Sequence, residues 1–114
     1  MIPEISVQEL AKKFEQGEEF TLLDVREAWE VRLAAIRDER VLVLPMSVLA
    51  QKLQEAFPAE LRRPDAPVIV MCHHGIRSAQ VTAWMRQNGW NNVYSLAGGI
   101  DAYARSVDAS VGYY

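Results

Sequence analysis

The segment from Cys72 to Ser78 reads Cys-His-His-Gly-Ile-Arg-Ser and contains the residues best suited to chemistry. Cys72 follows an apolar run and precedes a stretch of helical periodicity, so we expect it in a loop between a strand and a helix. In such a loop, backbone N–H groups and the helix dipole can converge on one atom and favour an anionic sulfur. Gly75 allows a backbone conformation that other residues resist, and Arg77 adds a permanent cation at the rim of the loop. These features predict that Cys72 is a nucleophile.

The distribution of charge supports a site for an anion. The chain of 114 residues has a formal net charge of −3, yet it has no acidic residue between Asp65 and Asp101. Cys72 and Arg77 lie in that interval, which predicts a locally positive surface for a small anion, with chance clustering as the alternative. The acidic total argues against a general nucleic-acid-binding protein, because such proteins usually carry a basic excess.

A lone cysteine is often only a small buried apolar residue. The position of Cys72 at a strand end, before a glycine-containing loop, favours a reactive thiol instead. Because it is the single cysteine, no internal disulfide can form, and a reducing compartment suits it. No secretion signal precedes it, and the longest mostly apolar run, Val41 to Ala50, is about half of what a membrane span needs. We expect a cytoplasmic protein without a membrane partner.

Strand and helix signals alternate along the sequence. A capping-box pattern, Ser6 with Glu9, starts a helix predicted to run from Val7 to about Gln16. The other predicted helices cover about 48–57, 77–88 and 100–106, and the predicted strands are 4–6, 20–25, 41–44, 68–71 and 92–96. This alternation predicts a single α/β domain over residues 1–114, with a mainly parallel sheet covered on both faces. Ligands of such sheets bind beyond the carboxyl ends of the strands, where Cys72 lies.

Three segments in this order resemble the rhodanese-like sulfurtransferase family: Asp-Val-Arg-Glu at 24–27, the Cys72–Ser78 loop, and Leu-Ala-Gly-Gly-Ile at 96–100. The resemblance implies the rhodanese-like fold, a five-stranded, mainly parallel sheet flanked by helices on both faces. It also implies that Cys72 carries a sulfane sulfur as a persulfide and that the rest of the loop binds it, namely His73, His74, Gly75, Ile76, Arg77 and Ser78.

The expected reaction moves sulfur from thiosulfate or a persulfide donor to a thiophilic acceptor, without a metal or organic cofactor. The substrate would be a small sulfur-containing anion, and the acceptor a thiol or a protein. The ending from Val107 to Tyr114 resembles the tail of rhodanese domains fused to adenylating enzymes of sulfur-carrier pathways, which favours a protein acceptor. The segment between Arg32 and Arg40 departs from the family pattern, which affects the expected substrate access more than the chemistry.

Supporting roles follow for residues outside the loop. Asp24 and Arg26 are expected to hold the strand ends and the loop through an ion pair or hydrogen bonds, and for Arg26 a simple surface pair is equally compatible. Gly98-Gly99 predicts a tight turn near the same rim. Trp84 and Trp90 are interpreted as packing residues.

Two other functions fit parts of the sequence. In one, the fold is an interaction module and Cys72 is incidental. In the other, the protein resembles phosphatases and arsenate reductases, but these separate the cysteine from an arginine by five residues, whereas four separate Cys72 from Arg77.

A metal site at the adjacent histidines is set aside, because neighbouring residues cannot readily surround one ion and the sequence has no further histidine or cysteine. We expect His74 to line the pocket and His73 to face solvent.

Overall fold

The sheet formed within residues 2–114 has five strands, and every pairing between them is parallel. A computed structural model describes residues 2–114. The strands are β1 (Glu4–Ile5), β2 (Thr21–Asp24), β3 (Val41–Val43), β4 (Val68–Met71) and β5 (Val93–Leu96). Their spatial order is β1-β5-β4-β2-β3, so β4 is central and Cys72 follows it directly. The predicted α/β class is confirmed, and the sheet is wholly rather than mainly parallel.

Within residues 2–114, four α-helices connect successive strands and a fifth follows β5: α1 (Val7–Glu15), α2 (Ala28–Leu33), α3 (Met46–Lys52), α4 (Ile76–Gln87) and, after β5, α5 (Gly99–Ser106). The capping box that predicted α1 is present, with Ser6 and Glu9 each binding the other's backbone N–H. The prediction of a helix over 48–57 is wrong for the second half of that range. Leu53 takes a φ of 52°, which ends α3 at Lys52, and a short 3-10 helix, Leu53–Ala56, follows.

The strands bury both of their faces, as the continuous apolar runs predicted. Leu23 and Val70 face a core completed by α3 and α4, whereas Leu22 and Ile69 face a core completed by α1 and α5. Trp90 is buried in the first core and Trp84 packs against it, which confirms both as packing residues. Successive residues of a strand therefore serve opposite cores, and the sheet is held rigid between two helical layers.

The segment that departs from the family pattern packs into the fold. Ala34 and Ile36 are buried in the core beside α1 and α5. The N–H of Ala35 donates to the carbonyl of Val111, so the segment also contacts the end of the described chain. Among residues 2–114, no helix combines the length and the apolar character that crossing a bilayer requires.

Candidate active site

The sulfur of Cys72 accepts two backbone hydrogen bonds from the loop that follows β4. The N–H groups of Gly75 and Ser78 donate to Sγ at 3.1 and 3.3 Å. Gly75 has a φ of 103° and caps α4, and a side chain at this position would press on the backbone of Gly98. This conformation explains why a glycine stands there. Two directed amides at the amino end of α4 can stabilise a thiolate or a persulfide anion.

A pair of buried serines lies beside the sulfur. The hydroxyl oxygen of Ser78 is 3.5 Å from Cys72 Sγ, donates to the carbonyl of Gly75 at 3.2 Å and is 2.8 Å from the hydroxyl of Ser95. Ser78 belongs to the predicted loop, whereas Ser95 on β5 was not predicted. The pair ties the first turn of α4 to the neighbouring strand.

The turn at Gly98-Gly99 lies against the Cys72 loop. The N–H groups of Ile100 and Asp101 donate to the carbonyls of Cys72 and His73 at 2.9 and 3.1 Å. Gly99 has a φ of 63°, and a Cβ there would collide with the same two carbonyl oxygens. The predicted tight turn near the rim is confirmed, and it fixes the backbone of the loop from the side of α5.

Asp24 and Arg26 form a buried ion pair at the end of β2. Nη2 and Nε of Arg26 donate to Oδ2 and Oδ1 of Asp24 at 2.7 and 2.9 Å. Arg26 is 0% exposed, so the alternative of a surface pair is wrong. Its Nη1 donates to the carbonyl of Glu30 and to the hydroxyl of Tyr114. The pair thereby joins the end of β2 to the helix that follows it.

Arg77 is not a free cation at the rim, because Glu30 neutralises it. Nη1 and Nη2 of Arg77 donate to Oε2 and Oε1 of Glu30 at 2.8 and 2.7 Å. The hydrogen bonds from Arg77 lower the pKa of Glu30 to about 2 despite the opposing effect of burial, so this carboxyl is ionised at neutral pH. Arg77 therefore adds no unpaired positive charge to the predicted anion site. Glu30 lies in α2. The three-residue spacing of Glu27 and Glu30, which is typical of a capping box, was the local sequence signal that could have indicated the start of this helix.

The two histidines have the reverse of their predicted positions. His74 is exposed, with Nδ1 3.8 Å from a carboxylate oxygen of Asp101. His73 is partly buried, and its ring stacks on Tyr114 with centroids 3.8 Å apart. Burial lowers the pKa of His73, which favours the neutral imidazole. The hydroxyl of Tyr114 also donates to Glu30 at 3.0 Å. Tyr114, which the sequence did not single out, therefore contacts both His73 of the loop and Glu30, the residue that pairs with Arg77.

One group of potential metal ligands lies beside the loop. His73, His74 and Asp101 each offer a ligand atom, and these atoms lie within 4.8 Å of one another. Asp101 was not among the expected ligands, because only histidine and cysteine side chains were expected to complete such a site. The set is one ligand short of the four of a structural zinc site, and Asp101 is already bound by Arg105 at 2.9 Å.

The sulfur of Cys72 is closed off from solvent, and two exposed apolar side chains are sequence neighbours of the Arg77–Glu30 pair. Cys72 is 1% exposed. Ile76, next to Arg77, is 72% exposed, and Trp29, next to Glu30, is 56% exposed. The arrangement can hold an anionic sulfur on backbone amides, with apolar side chains available to a molecule that approaches from outside.

Comparisons with known proteins agree on one family. The model of the rhodanese-like domain matches residues 6–106. A sulfurtransferase of Allochromatium vinosum is 33% identical over 105 residues, which cover 92% of this chain and 91% of that protein. The rhodanese-like/PpiC domain-containing protein 12 of Arabidopsis thaliana is 32% identical over 99% of this chain, which spans only 38% of the plant protein. The crystal structure of a rhodanese-related protein from Thermoplasma volcanium superposes with a TM-score of 0.73 at 27% identity, covering 92% of this chain and 93% of the other.

Proposed function

This chain belongs to the rhodanese-like domain family, and from that premise we propose that it is a single-domain sulfurtransferase that carries sulfur as a persulfide on Cys72. The pair of amides directed at Cys72 Sγ is the observation that carries the proposal. An apolar filler residue has no need of such donors, whereas a sulfur that alternates between thiolate and persulfide does.

The reaction has two balanced steps. The Cys72 thiolate attacks the outer sulfur of thiosulfate, a new S–S bond forms, the bond to the sulfonate sulfur breaks, and sulfite leaves with the electron pair. With an organic persulfide as donor, the organic thiolate leaves instead. In the second step an acceptor nucleophile attacks the outer sulfur of the Cys72 persulfide, and the thiolate is restored.

The loop supports both steps. The N–H groups of Gly75 and Ser78 and the amino end of α4 stabilise negative charge on sulfur without reorganisation, because the backbone is already fixed. The contacts of Ile100 and Asp101 with the loop carbonyls hold that geometry. The first step requires Cys72 as a free thiol or thiolate, a state that a reducing compartment such as the cytoplasm maintains.

The direct test is to incubate the protein with thiosulfate, and separately with a persulfide donor, and to weigh it by mass spectrometry. We expect a gain of one sulfur atom, its loss on addition of cyanide, and thiocyanate as product. Cys72→Ser, with an unchanged circular dichroism spectrum, should gain no sulfur. If neither donor loads the wild-type protein, the proposed function is wrong.

A second candidate, the interaction module, is favoured by the burial of Cys72, which is 1% exposed. In that case Cys72 is a core residue and resists alkylation in the native protein. Alkylation of the folded protein by iodoacetamide, at a rate well above that of unfolding, would exclude this candidate. The phosphatase alternative has less support, because Glu30 already occupies the guanidinium of Arg77 that would bind phosphate.

A further inference from the structure

Glu30 is placed to control the charge of the Cys72 site. Both of its carboxylate oxygens accept from Arg77, and each accepts one more hydrogen bond, from the hydroxyl of Tyr114 and the N–H of Glu27. Glu30 is only 4% exposed, so its charge is shielded little by solvent. The carboxylate therefore cancels the charge of Arg77 at short range and in a fixed geometry.

The other charged groups around the loop are paired as well. Arg26 is held by Asp24 through two hydrogen bonds. Asp101, beside the histidines, is bound by Arg105. A doubly charged anion entering this site would meet the backbone donors of Gly75 and Ser78 but no unpaired guanidinium from Arg26 or Arg77.

Donors of sulfane sulfur differ in charge. Thiosulfate is a small dianion with charged oxygens, whereas the persulfide of an organic thiol carries at most one charge on its sulfur and has an apolar body. The two amides that donate to Cys72 Sγ are suited to stabilise a single negative charge on sulfur. The exposed side chains of Ile76 and Trp29 offer apolar contact to an organic body and nothing to sulfonate oxygens.

Building on the proposed function, we propose that Glu30 is a specificity-determining residue: by cancelling the charge of Arg77, it selects the persulfide of an organic thiol over the thiosulfate dianion. Transfer from such a donor is balanced. The Cys72 thiolate attacks the outer sulfur, the donor S–S bond breaks, the organic thiolate leaves, and no external oxidant or reductant takes part.

Alkylation of Cys72 tests the charge effect without sulfur transfer. Iodoacetate and iodoacetamide differ mainly in charge, so the ratio of their rate constants reports the local potential. In the wild-type protein we expect this ratio to change little with added salt, because Arg77 and Glu30 cancel each other's charge and the pair is shielded from solvent. Glu30→Gln should raise the ratio about tenfold, the low end of electrostatic steering effects. Arg77→Gln, which leaves the carboxylate uncancelled, should lower it.

Glu27→Gln is the matched control, because it removes the same charge at the N-cap of α2, three residues before Glu30. The Glu27 side chain binds Ser47 rather than Arg77, so the ratio should stay within about twofold of wild type. A Glu30→Gln ratio equal to that of Glu27→Gln would overturn the proposal. If Glu30→Gln does not fold, Arg77→Gln decides, and an unchanged ratio in that variant would be equally negative.

Sulfur loading then tests the selection itself. We expect the wild type to have a KM for thiosulfate at least about tenfold above that for the persulfide of N-acetylcysteamine, whose organic part is uncharged. Glu30→Gln should lower the KM for thiosulfate more than the KM for the persulfide, because the persulfide carries at most one charge. Equal effects on both donors would contradict the proposal. If no donor loads Cys72 while the alkylation ratios change as expected, the proposed function fails separately from the charge effect of Glu30.

Discussion

Ser78 and Ser95 share a hydrogen bond of 2.8 Å beside the sulfur of Cys72, and so join the helix that follows β4 to the adjacent strand β5. Both side chains are buried. If Ser95 donates, the Ser78 hydroxyl keeps its own proton for the carbonyl of Gly75, or for Cys72 once the thiol has ionised. The pair can therefore supply a third donor to an anionic sulfur.

Ser78→Ala should slow both alkylation of Cys72 and its sulfur loading by about tenfold, because one donor is lost while the two amides stay. Ser95→Ala should have a smaller effect in the same direction. Ser106→Ala, an exposed serine at the end of α5, is the control. Rate constants with iodoacetamide measure this, and a Ser78→Ala rate equal to wild type would show that the hydroxyl does not act on the sulfur.

Gly99→Ala and Gly17→Ala separate a steric collision from backbone strain. The two glycines have nearly equal φ values, 63° and 66°, but a Cβ at Gly99 meets the carbonyls of Cys72 and His73, whereas one at Gly17 meets nothing within 4 Å. Gly17→Ala should cost about 1 kcal/mol of the free energy of unfolding. Gly99→Ala should cost about 3 kcal/mol or more, because collision adds to strain. Urea unfolding measures both, and equal losses would contradict the close approach.

The sequence contains two Asp-x-Arg pairs with the same bidentate geometry and different burial. Asp24–Arg26 is buried, and Asp38–Arg40 is partly exposed. Asp24→Asn leaves a guanidinium buried without its carboxylate and should cost about 3–5 kcal/mol. Asp38→Asn should cost at most about 1 kcal/mol. The free energies of unfolding at neutral pH test this, and similar losses for the two variants would show that burial does not set the difference.

Glu30 gives the stability of the protein a defined dependence on pH. Hydrogen bonds from Arg77 lower the pKa of this carboxyl from 4.5 to about 2. A lowered native pKa stabilises the fold fully above 4.5, and this contribution is lost as the pH falls from about 4.5 towards 2. The difference in unfolding free energy between wild type and Glu30→Gln should therefore be constant near neutral pH and shrink in that acid range. A difference that does not vary with pH would contradict the lowered pKa.

The strands and most helices could be predicted because their signals are local. The apolar run at 41–44 is one residue longer than β3, and the run at 68–71 coincides with β4. The box of Ser6 and Glu9 marks the start of α1. In contrast, α2 has six residues and exposes Trp29 and Leu33, so it shows no apolar face from which a helix could be recognised.

The charge of the site could not be predicted, because it depends on contacts between distant segments. The interval without acidic residues is real in sequence, yet Glu30 reaches Arg77 from another helix. Tyr114, which is distant from both in sequence, also contacts Glu30 and His73. The two histidines were assigned in reverse because the path of a loop, unlike a strand, does not fix which way successive side chains point.

The contacts of Gly99 and Ile100 with the loop carbonyls have a consequence for the order in which the site is built during synthesis. A ribosome-bound chain that ends just after Cys72 and α4 holds β2, β3 and β4, but it lacks β5 and α5, whose residues close around the sulfur. β1 has been synthesised by then, but it cannot join the sheet before β5 is present, because β5 is the strand with which it pairs. The nascent thiol therefore acquires its finished surroundings only when β5 and α5 have emerged.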